Sequence, residues 1–204
     1  MSGASNALKV VDGTANPAPL GLLGFGMTTV LLNLHNAGFY PLDSMIMGMG
    51  IFVGGFAQII AGIQEWKKNN TFGATAFTAY GFFWIALVAS WTLPSLGLAQ
   101  QSSAYEMGFF LGLWGIFTLG MFFGTLRLNK ALQVVFGSLT VLFFLLALRD
   151  FTGSETIGLV GGWVGLACGF SALYACLAQI LNEVYGKVVL PLGPVNLGSD
   201  PKTR

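Results

Sequence analysis

A chain of 204 residues that is 54% hydrophobic and only 8% charged departs far from a soluble domain, where roughly a quarter of residues are charged. Its mean hydropathy is +0.73, and so short a chain leaves about 30% of its surface outside its own core, so lipid must solvate the remainder. A net charge of +1 excludes a basic surface for nucleic acid.

Residues 1–15 are polar and hold no apolar run ahead of a cleavage site, which predicts an N-terminal tail rather than a cleaved signal peptide. Charge-free stretches then mark the spans, since a helix crosses the hydrocarbon core in about 20 residues. Helices are predicted at 18–35, 44–64, 72–93, 106–126, 131–149 and 156–182. The third is stopped before Pro94. The sixth is longer than a bilayer requires, so it should tilt or protrude. Continuous apolar runs without period-two alternation exclude a β-barrel. Residues 186–204 read as a polar C-terminal tail that ends as coil.

The first helix opens on "NPAPLG", Asn16 to Gly21. Pro17 and Pro19 belong in a first helical turn, where a missing N–H costs nothing, and asparagine is a strong N-cap. Two more helices begin after an asparagine, Asn70 in "NTFGAT" and Asn129 in "NKALQ", at spacings of 54 and 59 residues. Even helices end alike, in "QEWKKN", "LRLNK" and "NEVYGK". The 16–185 region therefore reads as three tandem helix hairpins in an all-α membrane fold. Good capping is one sufficient reason for the asparagines. The other is that three helix N-termini converge and present free N–H groups and positive dipole ends to an anion.

Glycine pairs recur on even helices: Gly50/Gly54, Gly108/Gly112, Gly120/Gly124, Gly158/Gly162, Gly161/Gly165 and Gly165/Gly169. Such pairs let backbones approach in lipid, within one bundle and, with three helices so marked, between subunits too. Lys9, Lys67, Lys68, Arg127, Lys130, Lys187, Lys202 and Arg204 fall on one side and only Arg149 on the other. This asymmetry predicts both termini in the cytoplasm. Cys168 and Cys176 lie about 12 Å apart along one helix, too far to bridge. One histidine, two such cysteines and no paired intramembrane acids leave nothing for metal or nucleophilic chemistry. Neither an enzyme nor a cofactor is expected.

The segment "NPAPLGLLGFGMTTVLLNLHNAG" resembles the acetate uptake transporter family, and within it the bacterial succinate–acetate/proton symporters. "GGFAQIIAG", "NTFGATAFTAYGFFW", "LGLWGIFTLGMFFGTL", "SLTVLFFLLA" and "LNEVYGKVVLP" extend the likeness to about residues 15–192. Its signature falls on Asn16, Pro17, Pro19, Leu20 and Gly21. The resemblance implies a six-helix protomer with its own central pathway, assembled as a homohexamer in the cell (inner) membrane. It implies uptake of acetate, and more slowly succinate, coupled to protons or as a passive anion channel. It also implies a hydrophobic waist of Phe25, Tyr80 and Leu139.

Spacing meets that implication at one point. Phe25, Tyr80 and Leu139 follow Asn16, Asn70 and Asn129 by nine, ten and ten residues, and ten residues of helix rise about 15 Å, half a bilayer. Thr29 and Asn36 lie within about 40° of Phe25 on a helical wheel, with Thr28 and Asn33 flanking that face. These residues and Gln58 can hydrogen-bond a carboxylate, or else join helices. His35 and Glu65 are the candidate proton-sensitive groups, an interface role being the plainer reading for His35. Gln179, Asn182 and Glu183 end the sixth helix at the cytoplasmic mouth. No Asp or Glu lies deep in a span, where a side-chain proton relay would need one. The proton is therefore expected to travel with the carboxylic acid. A small neutral-solute or amide channel is the rival reading.

Overall fold

The computed structural model describes residues 13–196. Residues 1–12 of the expected N-terminal tail and residues 197–204 lie outside that range. Six long apolar helices make up the fold: α1 Ala18–Asn36, α2 Ser44–Lys67, α3 Thr71–Ser95, α4 Ala104–Thr125, α5 Lys130–Thr152 and α6 Glu155–Tyr185. The chain is an all-helical, multi-pass membrane protein.

Helix starts follow the expected capping chemistry, with one change. Asn70 and Asn129 accept hydrogen bonds from the N–H of Gly73 (3.1 Å) and Leu132 (2.9 Å), as N-cap asparagines do. In α1 the N-cap is Pro17, and Asn16 one residue earlier reaches forward to accept the Ala18 N–H at 3.1 Å. Glu106 closes a capping box with Ser103 at the start of α4.

Two helices depart from expectation. α3 runs through Pro94 to Ser95, because a proline in the final turn leaves only the Ser90 carbonyl without its donor. The end is sealed beyond it, Leu96 N–H donating to the Thr92 carbonyl at 3.1 Å and Gly97 N–H to that of Pro94 at 2.9 Å. α2 is α-helical at Ser44–Gly48 and Gln58–Lys67 but widens into a nine-residue π-helix over Met49–Ala57. Hydropathy does not distinguish i→i+5 from i→i+4 bonding, so nothing in the apolar pattern announced it. α6, at 31 residues, spans about 46 Å, longer than a bilayer core as expected.

The helices form a ring in chain order, α1 lying against both α2 and α6 and closing it. The hairpin repeat is visible, but α2–α3, α4–α5 and α6–α1 contacts across hairpins are more extensive than those within them. The α3–α4 seam is made by side chains: Phe83 stacks on Phe110 (5.6 Å), and Tyr80 meets Trp114 (5.8 Å) and Phe117 (5.8 Å). Odd helices supply most of the interior.

Most glycines of the even helices face neighbours inside the protomer. A Cβ on Gly165 would land 2.1 Å from Asn33, which lies in the space glycine leaves. Only Gly112 and Gly120 of the marked pairs face open space, both on α4, beside exposed Leu113, Ile116 and Phe123. Among the marked pairs, spare glycine surface is thus confined to one helix. Both cysteines are buried and free.

The stretch after α6 is irregular, yet tied down. Asn182 accepts the N–H groups of Val189 (2.6 Å) and Leu190 (3.0 Å) and donates to the Leu190 carbonyl (2.8 Å). The carbonyls of Gly193 and Leu192 then accept the N–H groups of Lys130 (2.8 Å) and Ala131 (3.1 Å) at the start of α5.

Candidate functional site

Two cavities enter the ring from opposite ends, with a small void between them. The basic end, where α1, α3 and α5 begin, opens into a vestibule of about 670 Å³. From the far end a cavity of about 170 Å³ descends among α1, α3, α4 and α5. The two share no lining residue. The void between them measures about 20 Å³, room for about one water molecule. Phe25, Tyr80 and Leu139 line both the void and the outer cavity, whereas Leu22, Ala76, Phe77 and Phe136 line both the void and the vestibule.

The three residues that the resemblance implied as a waist are thus brought together on one wall. Phe25 and Tyr80 ring centroids lie 6.2 Å apart, and Phe136, which the sequence reading missed, comes within 6.0 Å of Tyr80. Tyr80 is fixed by proton accounting. Thr118 on α4 donates its one hydroxyl hydrogen to the Trp114 carbonyl at 2.6 Å, since a carbonyl only accepts. The Tyr80 hydroxyl, 2.8 Å from Thr118 Oγ1, must then be the donor. The phenol is tethered toward α4, and its ring edge is left to form the wall.

Polar residues sort by cavity. Thr29, Asn33, His35 and Asn36 of α1 line the outer cavity together with Trp84 and Arg149. Asn33 donates to the Thr29 carbonyl (2.8 Å) and accepts from Asn36 (3.1 Å). His35 Nδ1 lies 2.9 Å from the Tyr40 carbonyl, so that nitrogen carries the proton. Gln58 lines the central void. Thr28 lines none of the three; its hydroxyl points at α2 and the Met49 carbonyl, 3.4 Å away. On an ideal wheel Thr29 lies within about 40° of Phe25 while Thr28 only flanks that face, and α2 supplies the carbonyl that Thr28 meets.

Asn16, Asn70, Asn129 and Glu65 all line the vestibule, with Lys68, Gln179, Glu183 and Leu192. The expected convergence of helix starts is there, but many of their first-turn N–H groups already have partners. At α5 the first three are taken by Gly193, Leu192 and Asn129. The amide nitrogens are committed as well, Asn16 donating to Gln179 (2.9 Å) and Asn70 to Glu65 (2.7 Å). Lys68 donates to the Thr14 carbonyl. What remains for an anion is the dipole field of the three starts, set against two nearby carboxylates.

Buried polar atoms without a partner, among the described residues, are Thr29 Oγ1, Gln58 Oε1, Trp84 Nε1 and Asp150 Oδ2. All lie at the void or beyond it toward the far end. Trp84 was invisible in the sequence because a mid-span tryptophan reads as apolar filling. Arg149 served there only to set orientation. It forms an ion pair with Asp150 at 2.6 Å at the outer mouth.

The model of the GPR1/FUN34/yaaH family matches residues 4–196. The chain belongs to that family. The succinate-acetate/proton symporter SatP of Escherichia coli (strain K12) is 59% identical over 179 residues, 88% of this chain and 95% of that protein. Acetate permease A of Emericella nidulans is 34% identical over 195 residues, 87% of this chain and 65% of that one. The solved structure of the bacterial acetate channel SatP matches with a TM-score of 0.87 and 58% identity, covering 88% of this chain and 99% of that one. The six-helix fold is therefore shared with that structure.

Proposed function

We propose that this protein carries acetate, and more slowly succinate and other short carboxylates, through each protomer and across the cell (inner) membrane. The observation that carries the reading is the wall of Phe25, Tyr80 and Leu139, which stands between two cavities that share no lining residue. An apolar wall around so small a void rejects hydrated ions, because moving a carboxylate out of water without a partner is prohibitive. It tolerates a small neutral acid. A carboxylic acid has a pKa of about 4–5, so roughly one molecule in a few hundred is protonated at pH 7, and that fraction is the transported form. Proton coupling then follows without a protein relay, and the spans carry no deep acidic side chain.

Thr29 Oγ1 and Trp84 Nε1 are left without partners in the outer cavity. They receive the polar end of the substrate before the waist, with Asn33 and Asn36 continuing the polar strip. On the basic side Asn16, Asn70 and Asn129 hold three helix dipoles toward the vestibule and Glu65 sits beside Asn70, where protonation would loosen that cap. The excess of Lys and Arg places the vestibule and both termini in the cytoplasm. The outward face of α4, with Gly112 and Gly120 uncovered, supports packing into a homohexamer.

The second reading is a passive anion channel, which the name of the structural relative favours for that protein. Labelled-acetate uptake and current, measured in voltage-clamped proteoliposomes, separate the two. Uptake that follows the protonated fraction, with little current, is expected. A large acetate current uncoupled from pH overturns the neutral-acid mechanism and leaves the channel.

A further inference from the structure

The side chain of Gln58 is 1% exposed and stands at the junction where the π-helical stretch of α2 returns to α-helix. Gly24 makes its position possible. A Cβ there would lie 3.2 Å from Gln58 Cγ and 2.4 Å from the Val53 carbonyl, so the stem crosses α1 where Gly24 leaves room for it. The amide ends in the central void, lined otherwise by Leu22, Phe25, Ala76, Phe77, Tyr80 and their α5 neighbours. The Tyr80 hydroxyl is spent on Thr118. Gln58 Oε1 makes no hydrogen bond at all, and an orphaned amide oxygen in an apolar site is unfavourable.

We propose that Gln58 reads the protonation state of the acid at the waist. A primary amide and a carboxylic acid are complementary. The acid O–H donates to the amide oxygen while the amide N–H donates to the acid carbonyl, closing a two-bond ring. A carboxylate satisfies only the second of these bonds, and its charge faces the orphaned oxygen. Because amide oxygen and nitrogen exchange places on rotation, the pairing requires only that both atoms are free to turn toward the void. Gln58 thus lowers the barrier for the neutral acid and raises it for the anion. This rests on the neutral-acid reading above and adds the residue that enforces it.

The test uses the full-length protein in proteoliposomes, with labelled acetate supplied at a fixed concentration of the protonated acid while pH varies. Constant wild-type uptake supports the neutral-acid reading; uptake tracking total acetate overturns that reading whatever Gln58 does. Gln58→Met keeps length and apolar volume but removes both hydrogen bonds. Its uptake should fall about tenfold, two modest hydrogen bonds' worth, while acetate current per molecule taken up rises. Acetamide, an isostere that keeps a donor, should inhibit the wild type where methyl acetate, which has none, does not. Gln58→Met should lose the acetamide inhibition. If Gln58→Met shows an unchanged melting curve and keeps both the current-to-uptake ratio and the inhibition, Gln58 does not read the proton. If Gln58→Met fails to fold, Gln58→Asn carries the test. It keeps the amide but withdraws it by one methylene, and inhibition as strong as in the wild type overturns the proposal.

Discussion

The vestibule and the outer cavity are built from similar residues and use them in opposite ways. At the basic end every prominent amide has a permanent partner: Asn16 with Gln179, Asn70 with Glu65, Asn182 with the segment after α6. At the void and beyond it, buried polar atoms of Thr29, Gln58 and Trp84 are left over. Burying a polar atom without a partner is unfavourable in any fold, so a chain that satisfies one end and not the other has a reason at the second. A satisfied group serves the fold. An orphaned group aimed into a passage serves what passes.

The comparison breaks most visibly at the wall between the two regions. Leu139 is 3% exposed and flanked by both aromatic rings of the trio. Leu139→Ala should enlarge the void without adding a polar atom and lose about 2–3 kcal/mol of stability. The succinate-to-acetate uptake ratio should rise by about tenfold, a factor that corresponds to 1.4 kcal/mol of barrier difference. Phe25→Ala should act in the same direction. An assembled Leu139→Ala protein with an unchanged ratio would show that Leu139 does not limit passage.

A smaller effect is expected from the tether behind the wall. Thr118→Val removes the hydroxyl that holds Tyr80 while preserving shape, a loss of about 1 kcal/mol for one buried hydrogen bond. A freed Tyr80 hydroxyl can turn into the void. Uptake of acetate should fall severalfold with little change in melting temperature, and Thr118→Ser should restore it. Equal uptake in the valine and serine variants would mean that the tether is irrelevant to passage.

How far this division was legible from residues alone follows from which forces set each position. Phe25, Tyr80 and Leu139 came from the resemblance, and near-equal distances from three helix starts, a property of single helices, added that they lie at similar depth. Asn70 and Asn129 were legible as caps for the same local reason. Trp84, Thr118 and Phe136 were not, because their meaning depends on which helix lies opposite. The π-helical stretch of α2 carries Gln58 into the void, yet its apolar sequence reads like any span. Thr28 and Thr29 are neighbours in sequence, and only the approach of α2 sends one to a carbonyl and the other to a cavity. The segment 187–196 looked like loose tail because its bonds run to backbone groups near residue 130, a pairing that composition cannot express.

The satisfied end should respond to mutation as structure rather than as binding site. Asn129→Ala removes the cap of Leu132 N–H and should cost about 1 kcal/mol of stability. Asn129→Ser, a good cap with no amide, should recover both stability and uptake. Uptake lost in Asn129→Ser at wild-type stability would instead mean that the amide contacts substrate, and the contrast between the two ends would fail.

The smallest effect is expected where charge alone is at stake, at the outer mouth. Arg149 and Asp150 form a 2.6 Å pair with the arginine side chain one-third exposed and the aspartate largely buried, so their charges nearly cancel for anything approaching from solvent. Arg149→Gln leaves a net negative mouth and Asp150→Asn a net positive one. If the neutral acid crosses the waist, neither changes the apparent KM for acetate by more than about twofold, since a neutral species does not feel the sign of the field. An anion pathway would respond in opposite directions, KM rising in Arg149→Gln and falling in Asp150→Asn. Both changes would fade as salt approaches 1 M and the screening length shrinks to about 3 Å. Uptake measured for the two variants at low and high salt therefore decides which species enters from the far end, independently of anything at the waist.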